Sequence, residues 1–224
     1  MKKLLPLFLS LFYIPLLIAQ TPYTGYIPFP EDSAQWSIWH TSNSGSTVES
    51  IQYKMKGDTL IDGISYNKIY KSFDLDYLAN DTIINCFIRQ DTALKKVYVR
   101  YPYTTYNDSS EYVLYDFNLH TGDTMWIKVF PNNISYPIAI TGEDTLQFNY
   151  DFRRIMTLDV VDTCGLPYCL WGIDCDNSQA WFEGIGFTVH FLYCEIPKDG
   201  CFFGENYILE CYWHNGRYDY GGTF

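Results

Sequence analysis

The dipeptide Asp62-Gly63, set between Leu60-Ile61 and Ile64, constrains this chain more than any other feature. A two-residue hairpin turn needs positive φ at both central positions, and Asp-Gly is among the few pairs that accept it. The flanks agree with a hairpin. Ile51, Tyr53 and Met55 alternate with Gln52, Lys54 and Lys56, the period of a strand with one buried face, and Ile64 to Tyr70 reads as the returning partner. A second turn of this kind, Asn215-Gly216, lies between the strand-like runs Tyr207 to Trp213 and Arg217 to Tyr220.

Short runs of the same character fill the space between. Trp36 to His40, Thr82 to Arg89, Lys96 to Tyr101, Tyr112 to Phe117, Thr124 to Phe130, Ile138 to Thr141, Leu146 to Phe148 and Arg154 to Val161 each predict a strand. Val97, Val99 and Tyr101 fall on one face of theirs. Helix is expected to be little or none, a turn or two at most over Phe73 to Ala79. Gly57-Asp58-Thr59, Gly122-Asp123-Thr124 and the looser Gly142-Glu143-Asp144-Thr145 read as a repeated turn followed by the start of a strand. The expected fold is all-β: an antiparallel sandwich, barrel or extended meander of about a dozen short strands.

Residues 1–20 have the layout of a cleaved secretory leader. Lys2 and Lys3 precede a mostly apolar run from Leu4 to Ile18, and Ala19 ends it. The run is shorter than the ~20 residues that cross a bilayer, and no Cys stands at the junction to take a lipid. The expectation is a leader at 1–20 and a single β-rich domain at 21–224, secreted to the periplasm or outside the cell, with no membrane insertion after cleavage. The whole chain has 15 Lys and Arg against 26 Asp and Glu, a net charge of −11, and loss of Lys2 and Lys3 makes it more negative still. Such a surface repels phosphate backbones and anionic lipid, so no nucleic-acid partner is expected.

Seven cysteines in an exported chain point to disulfides. The candidates are Cys164, Cys169, Cys175, Cys194, Cys201 and Cys211, with Cys86 left over in the largely apolar run Ile83 to Ile88; the sequence selects no connectivity. Aromatic residues form 19% of the chain, with 21 Tyr, 15 Phe and 6 Trp. Aromatic side chains suit a half-buried pleated surface, and they also suit a platform for glycans.

The most distinctive local run is Trp181-Phe182-Glu183-Gly184-Ile185-Gly186. Trp181 and Glu183 are the candidate ligand-binding residues, and a carboxylate among aromatics is also what a glycosidase would use with a second acid nearby. The structural alternative is a tight strand bend in which both glycines hold conformations closed to other residues. Asp174, Cys175, Asp176 and Asn177 begin like a calcium loop, but Gln179 and Ile185 stand where its Gly and Glu belong. No nucleophile elbow, phosphate loop or dinucleotide fingerprint is readable. No cofactor, no metal and no catalytic residue are therefore expected.

The order of motifs resembles a known set of proteins. Trp36 is followed by Gly57 to Tyr70, by Ile88-Arg89-Gln90-Asp91 with Lys96-Val97-Tyr98, and by Tyr115 to Leu119 with Gly122-Asp123-Thr124. Trp181 to Gly186 and Leu209-Glu210-Cys211 complete the series. This ordered set resembles a widespread group of secreted Bacteroidetes proteins of unassigned activity, many of them type IX secretion cargo with a C-terminal sorting domain. The resemblance implies no catalytic residues. Here the sequence stops at Phe224 without such a sorting domain, and Cys164 to Cys175 reads as a cysteine-bearing insertion. The resemblance also implies O-glycan acceptors at the Asp-Thr-apolar triplets that begin at Asp58, Asp81, Asp91, Asp123 and Asp144.

Together these features lead to the expectation of an exported envelope or extracellular domain that binds or adheres, with a glycan or another envelope protein as partner. The alternative is a glycan-acting hydrolase that uses Glu183 with a nearby acid.

Overall fold

The computed structural model of the protein describes residues 25–41, 48–72, 84–102, 110–129, 134–148, 151–160, 179–187, 206–214 and 217–221. The leader at 1–20, the Phe73 to Ala79 stretch and Cys164, Cys169, Cys175, Cys194 and Cys201 lie outside these residues, as does the Asp174 to Asn177 segment. The described chain is all-β, with no helix among the described residues, and its strands form two curled antiparallel sheets. Among the described residues, no helix is long and apolar enough to cross a membrane.

The larger sheet contains β1 (Ala34–Thr41), β2 (Val48–Ile61), β3 (Ile64–Ser72), β4 (Ile84–Asp91), β5 (Lys96–Arg100), β6 (Glu111–Asp116), β12 (Asn206–His214) and β13 (Arg217–Gly221). Their order across the sheet is β13-β12-β1-β2-β3-β4-β5-β6. The smaller sheet is made of β7 (Thr124–Val129), β8 (Ile134–Phe148), β9 (Asp151–Val160), β10 (Gln179–Phe182) and β11 (Gly186–Phe187), in the order β11-β10-β9-β8-β7. Every pairing but one joins strands consecutive in the chain. The exception is β1 against β12, which brings the C-terminal hairpin beside the first strand.

Local sequence explains the turns. Asp62 and Gly63 take φ of 53° and 79°, the positive pair that a two-residue turn between Ile61 and Ile64 demands. β12 and β13 pair from His214 against Arg217, the register set by a two-residue connection. The β4–β5 turn is closed by Asp91, whose carboxylate accepts the amide of Leu94 at 2.9 Å.

Ile51, Tyr53 and Met55 are buried, as are Val97, Val99 and Tyr101. The alternation in β2 is broken at Gln52, which is buried as well and donates to the Ser37 hydroxyl at 2.8 Å. The core-facing residues of β1 and β2 sit opposite one another, Trp36 against Tyr53 and Ile38 against Ile51. Cys86 is fully enclosed in the same core as a thiol.

Two details differ from the sequence expectation. The strands expected at Ile138 to Thr141 and Leu146 to Phe148 are one strand, β8, running through Gly142. The register against β9 slips by one residue between Ile140 and Gly142, so Thr141 is the extra residue of a bulge, Gly142 pairs with Thr157 and the strand keeps going. Gly57 behaves alike, with φ of 67° inside β2 where the register shifts between Met55 and Asp58. Of the three Gly-containing repeats, Gly122-Asp123-Thr124 alone is a turn leading into a strand.

Both sheets contribute to one hydrophobic cluster. Aromatic rings form its spine. Tyr212 meets Trp36 at 5.5 Å between centroids, Trp36 stacks on Phe29 at 5.8 Å, and Phe29 meets Tyr115 at 5.8 Å. Tyr115 then contacts Trp181 of the smaller sheet edge-on at 5.5 Å. Such contacts contribute about 0.5–1.5 kcal/mol each beyond the area they bury. Many of the described aromatic residues are thus taken up by the core rather than by a surface.

Candidate functional site

Trp181 and Glu183 stand at the end of β10 and in the turn that follows. Trp181 is 0% exposed, with Tyr115 and Phe117 against its ring at 5.5 and 6.4 Å. Its indole N–H is buried without a hydrogen-bond partner among the described residues. Glu183 is 1% exposed. Its amide donates to the carbonyl of Arg154 at 3.0 Å, and its carbonyl accepts from Arg153 Nη1 at 3.2 Å.

Glycine is required at the next position. Gly184 has φ of 72°, and a Cβ there would lie 2.6 Å from Arg153 Nη1, 2.9 Å from Ile27 Cγ2 and 3.1 Å from the Pro28 carbonyl oxygen. Gly186 also has a positive φ, 115°. The carbonyl of Ile185 between them accepts the indole N–H of Trp36 at 2.9 Å. The run that looked most like a site is therefore a tight bend locked into the core, in accord with the structural alternative.

The turn does border a concavity of about 380 Å³. Glu183 lines it together with Lys95, His120, Glu143, Asp144, Thr145 and Arg154. Lys95 reaches it from the β4–β5 turn, where its own φ is 47°. Its ammonium lies 5.9 Å from the centre of the Tyr26 ring. The Tyr26 hydroxyl is pushed well above the ordinary tyrosine range, first by burial and then by the nearby charge of Glu183.

Arg154 organises the opposite wall. Its Nη1 donates to the Phe117 carbonyl at 2.7 Å and its Nη2 to the Leu119 carbonyl, both in the connection from β6 to β7. Its Nε meets Glu143 Oε2 at 2.8 Å, and Nη2 touches the same oxygen. Glu143 also accepts the Thr121 amide at 2.7 Å and lies 3.3 Å from His120 Nδ1. Partial burial would raise the Glu143 pKa, but the Thr121 amide and the Arg154 guanidinium outweigh it and hold the carboxyl at about 2. Chemically this is a clamp. The charges of Arg154 and Glu143 are used to fasten the inter-sheet crossing to β8 and β9. Among the described residues, no group of three His, Cys, Asp or Glu is placed to hold a metal ion.

A different surface is open. Trp126 in β7 is 67% exposed. Its neighbour Ile127 is 2% exposed and Met125 packs against the core, so the indole stands on the outer face of the sheet. Pro137 lies directly across from it on β8, with Ala139 opposite Thr124 and Ser135 opposite Lys128 on the same face. Lys128 donates to the Tyr112 hydroxyl at 2.6 Å and sits 4.0 Å from the centre of that ring, which joins β7 to β6 across the gap between the sheets. β7 ends its sheet, so alternate residues turn backbone N–H and C=O groups away from β8. The sequence did carry a signal for Trp126: it sits between Thr124 and Lys128 in a strand whose other parity is Met125, Ile127 and Val129. Arg154 carried none, because besides Glu143 its partners are backbone carbonyls 35 and 37 residues away.

No family model, no curated protein and no solved structure matches the chain.

Proposed function

We propose that this chain is an exported β-sandwich domain of the cell envelope, periplasmic or extracellular, whose work is to bind a glycan or another envelope protein. The binding face is the outer side of β7 and β8 around Trp126. The leader-like residues 1–20 and the resemblance to secreted Bacteroidetes proteins support export, and the cysteine-rich C-terminal third suits an oxidising compartment. The single core shared by both sheets supports one domain over 21–224.

The observation that carries the reading is the exposure of Trp126. A large aromatic left 67% open on an edge strand forgoes the burial that aromatic residues such as Trp36 and Trp181 obtain. Exposed Trp is enriched where partners dock, because it supplies wide contact area with little rotamer entropy to lose. The test is a printed array of polysaccharides and envelope-protein fractions, probed with the mature protein and with Trp126→Ala. Spots that bind the wild type and lose the variant support the proposal. Identical binding patterns would refute it.

A second reading has one observation in its favour: Glu183 borders the same concavity as Glu143 and Asp144. Two acids at one concave surface are what a glycan hydrolase requires. Against it, Glu143 is bound to Arg154 and Thr121 of its own chain. Release of reducing sugar from a polysaccharide by the wild type, abolished in Glu183→Gln, would decide for the hydrolase.

A further inference from the structure

We infer that the occupant of the Trp126 face is a neutral glycan, lying along β7 with one pyranose ring on the indole. The inference rests on the binding face proposed above and names its ligand.

Four features of that face select a sugar. First, Trp126 stands among low neighbours. Pro137 faces it across the ladder, with Thr124, Ser135 and Ala139 on the same face, while Lys128 on that face is drawn to Tyr112 of β6, so on its other sides the ring overlooks a shallow strip. A flat aromatic open over such a strip accepts the flat C–H face of a pyranose, whose slightly positive hydrogens meet the negative face of the ring.

Second, hydrogen-bonding groups surround the ring. Thr124 and Ser135 are exposed hydroxyls on the same face, one to either side of it along the ladder. The free edge of β7 adds backbone donors and acceptors spaced by two residues, about 6.6 Å. A chain of sugars presents hydroxyls along its length and can use them in turn.

Third, among the described side chains of β7, Trp126 is the one large apolar group that is exposed. A stable protein interface buries about 800 Å² per partner around several packed anchors, and a lone indole does not supply them. Fourth, the chain carries a net charge of −11, and the one cation next to Trp126 on its face, Lys128, is engaged with Tyr112. An acidic polymer would be repelled, whereas a neutral one meets no electrostatic barrier.

The experiment is isothermal titration of the mature protein with cellohexaose, xylohexaose, mannohexaose and chitohexaose. At least one should bind, and Trp126→Ala should weaken that binding about tenfold, as loss of one aromatic stack implies. Trp126→Tyr should retain most of it. Raising the salt from ~0.1 to ~0.5 M should leave the affinity unchanged, because no charge is neutralised. Urea unfolding of each variant confirms that the fold is intact. Equal binding by wild type and Trp126→Ala would overturn both the sugar and the face. If no hexasaccharide binds while an envelope protein is retained in a Trp126-dependent way, the sugar is overturned and the binding face stands. If neither binds, both fall.

Discussion

The indole N–H of Trp36 donates to the carbonyl of Ile185 at 2.9 Å, and this contact ties β1 of the larger sheet to the turn that ends the smaller one. Both partners are fully buried. Replacing Trp36 by Phe keeps a ring in the core but leaves that carbonyl without its donor. The cost of one orphaned buried acceptor is about 1–3 kcal/mol. Trp36→Ala also opens a cavity and should cost about 3–5 kcal/mol. Urea midpoints of the two variants should fall in that order. A Phe variant as stable as the wild type would show that the bond adds nothing.

Gly184→Ala should destabilise by about 1–3 kcal/mol through strain at positive φ alone. The close approach of Ile27 and the Pro28 carbonyl adds to it. Gly25→Ala is the control, since nothing lies within 4 Å of a Cβ there. Thermal melts should separate the two, with the Gly25 variant near the wild type. Equal midpoints would mean that the bend relaxes at no cost.

The clamp at Glu143 predicts an acid limb in stability. Its pKa falls from the ordinary 4.5 to about 2 on folding, so below 4.5 the unfolded chain binds the proton more readily. The stability it contributes is therefore complete above pH 4.5 and is lost as the pH falls toward 2. Glu111 adds to the same limb. Burial would raise its pKa, but hydrogen bonds from Arg89 and Tyr66 hold it below the usual range. In Glu143→Gln the decline between pH 4.5 and 2 should be shallower in urea titrations. An unchanged slope would show that this carboxylate is not held by Arg154.

Much of the fold could be read in advance where the signal was local. Asp62-Gly63 sets its own turn, and Ile51, Tyr53 and Met55 announce a buried face by parity alone. What escaped was the response of the backbone to glycine. Gly142 suggests a break, yet β9 pairs on both sides of it, and the ladder bonds favour a bulge over a turn. The pairing of β1 with β12 also escaped, because nothing near Trp36 specifies a partner some 170 residues later. The site was less legible still. Trp181 and Trp126 are the same residue type in strand-like runs, and one is sealed in the core while the other stands in solvent. Glycines beside Trp181 drew attention to a bend; the polar flanks of Trp126 marked the open face.

Trp126→Ala should leave stability within about 0.5 kcal/mol of the wild type, since little of the side chain is buried. Trp181→Ala should lose about 3–5 kcal/mol. Chemical unfolding of the pair distinguishes an interaction residue from a core residue. A large loss in Trp126→Ala would assign that indole to the fold.

The most direct measurement is the indole N–H spectrum of the protein labelled at tryptophan with nitrogen-15. The Trp126 cross-peak is assigned by its absence in Trp126→Ala, and those of Trp36 and Trp181 by Trp→Phe variants. On addition of the neutral hexasaccharides and of an envelope extract, the Trp126 peak should shift or broaden while those of Trp36 and Trp181 stay in place. A Trp126 peak unmoved by every addition would contradict the account.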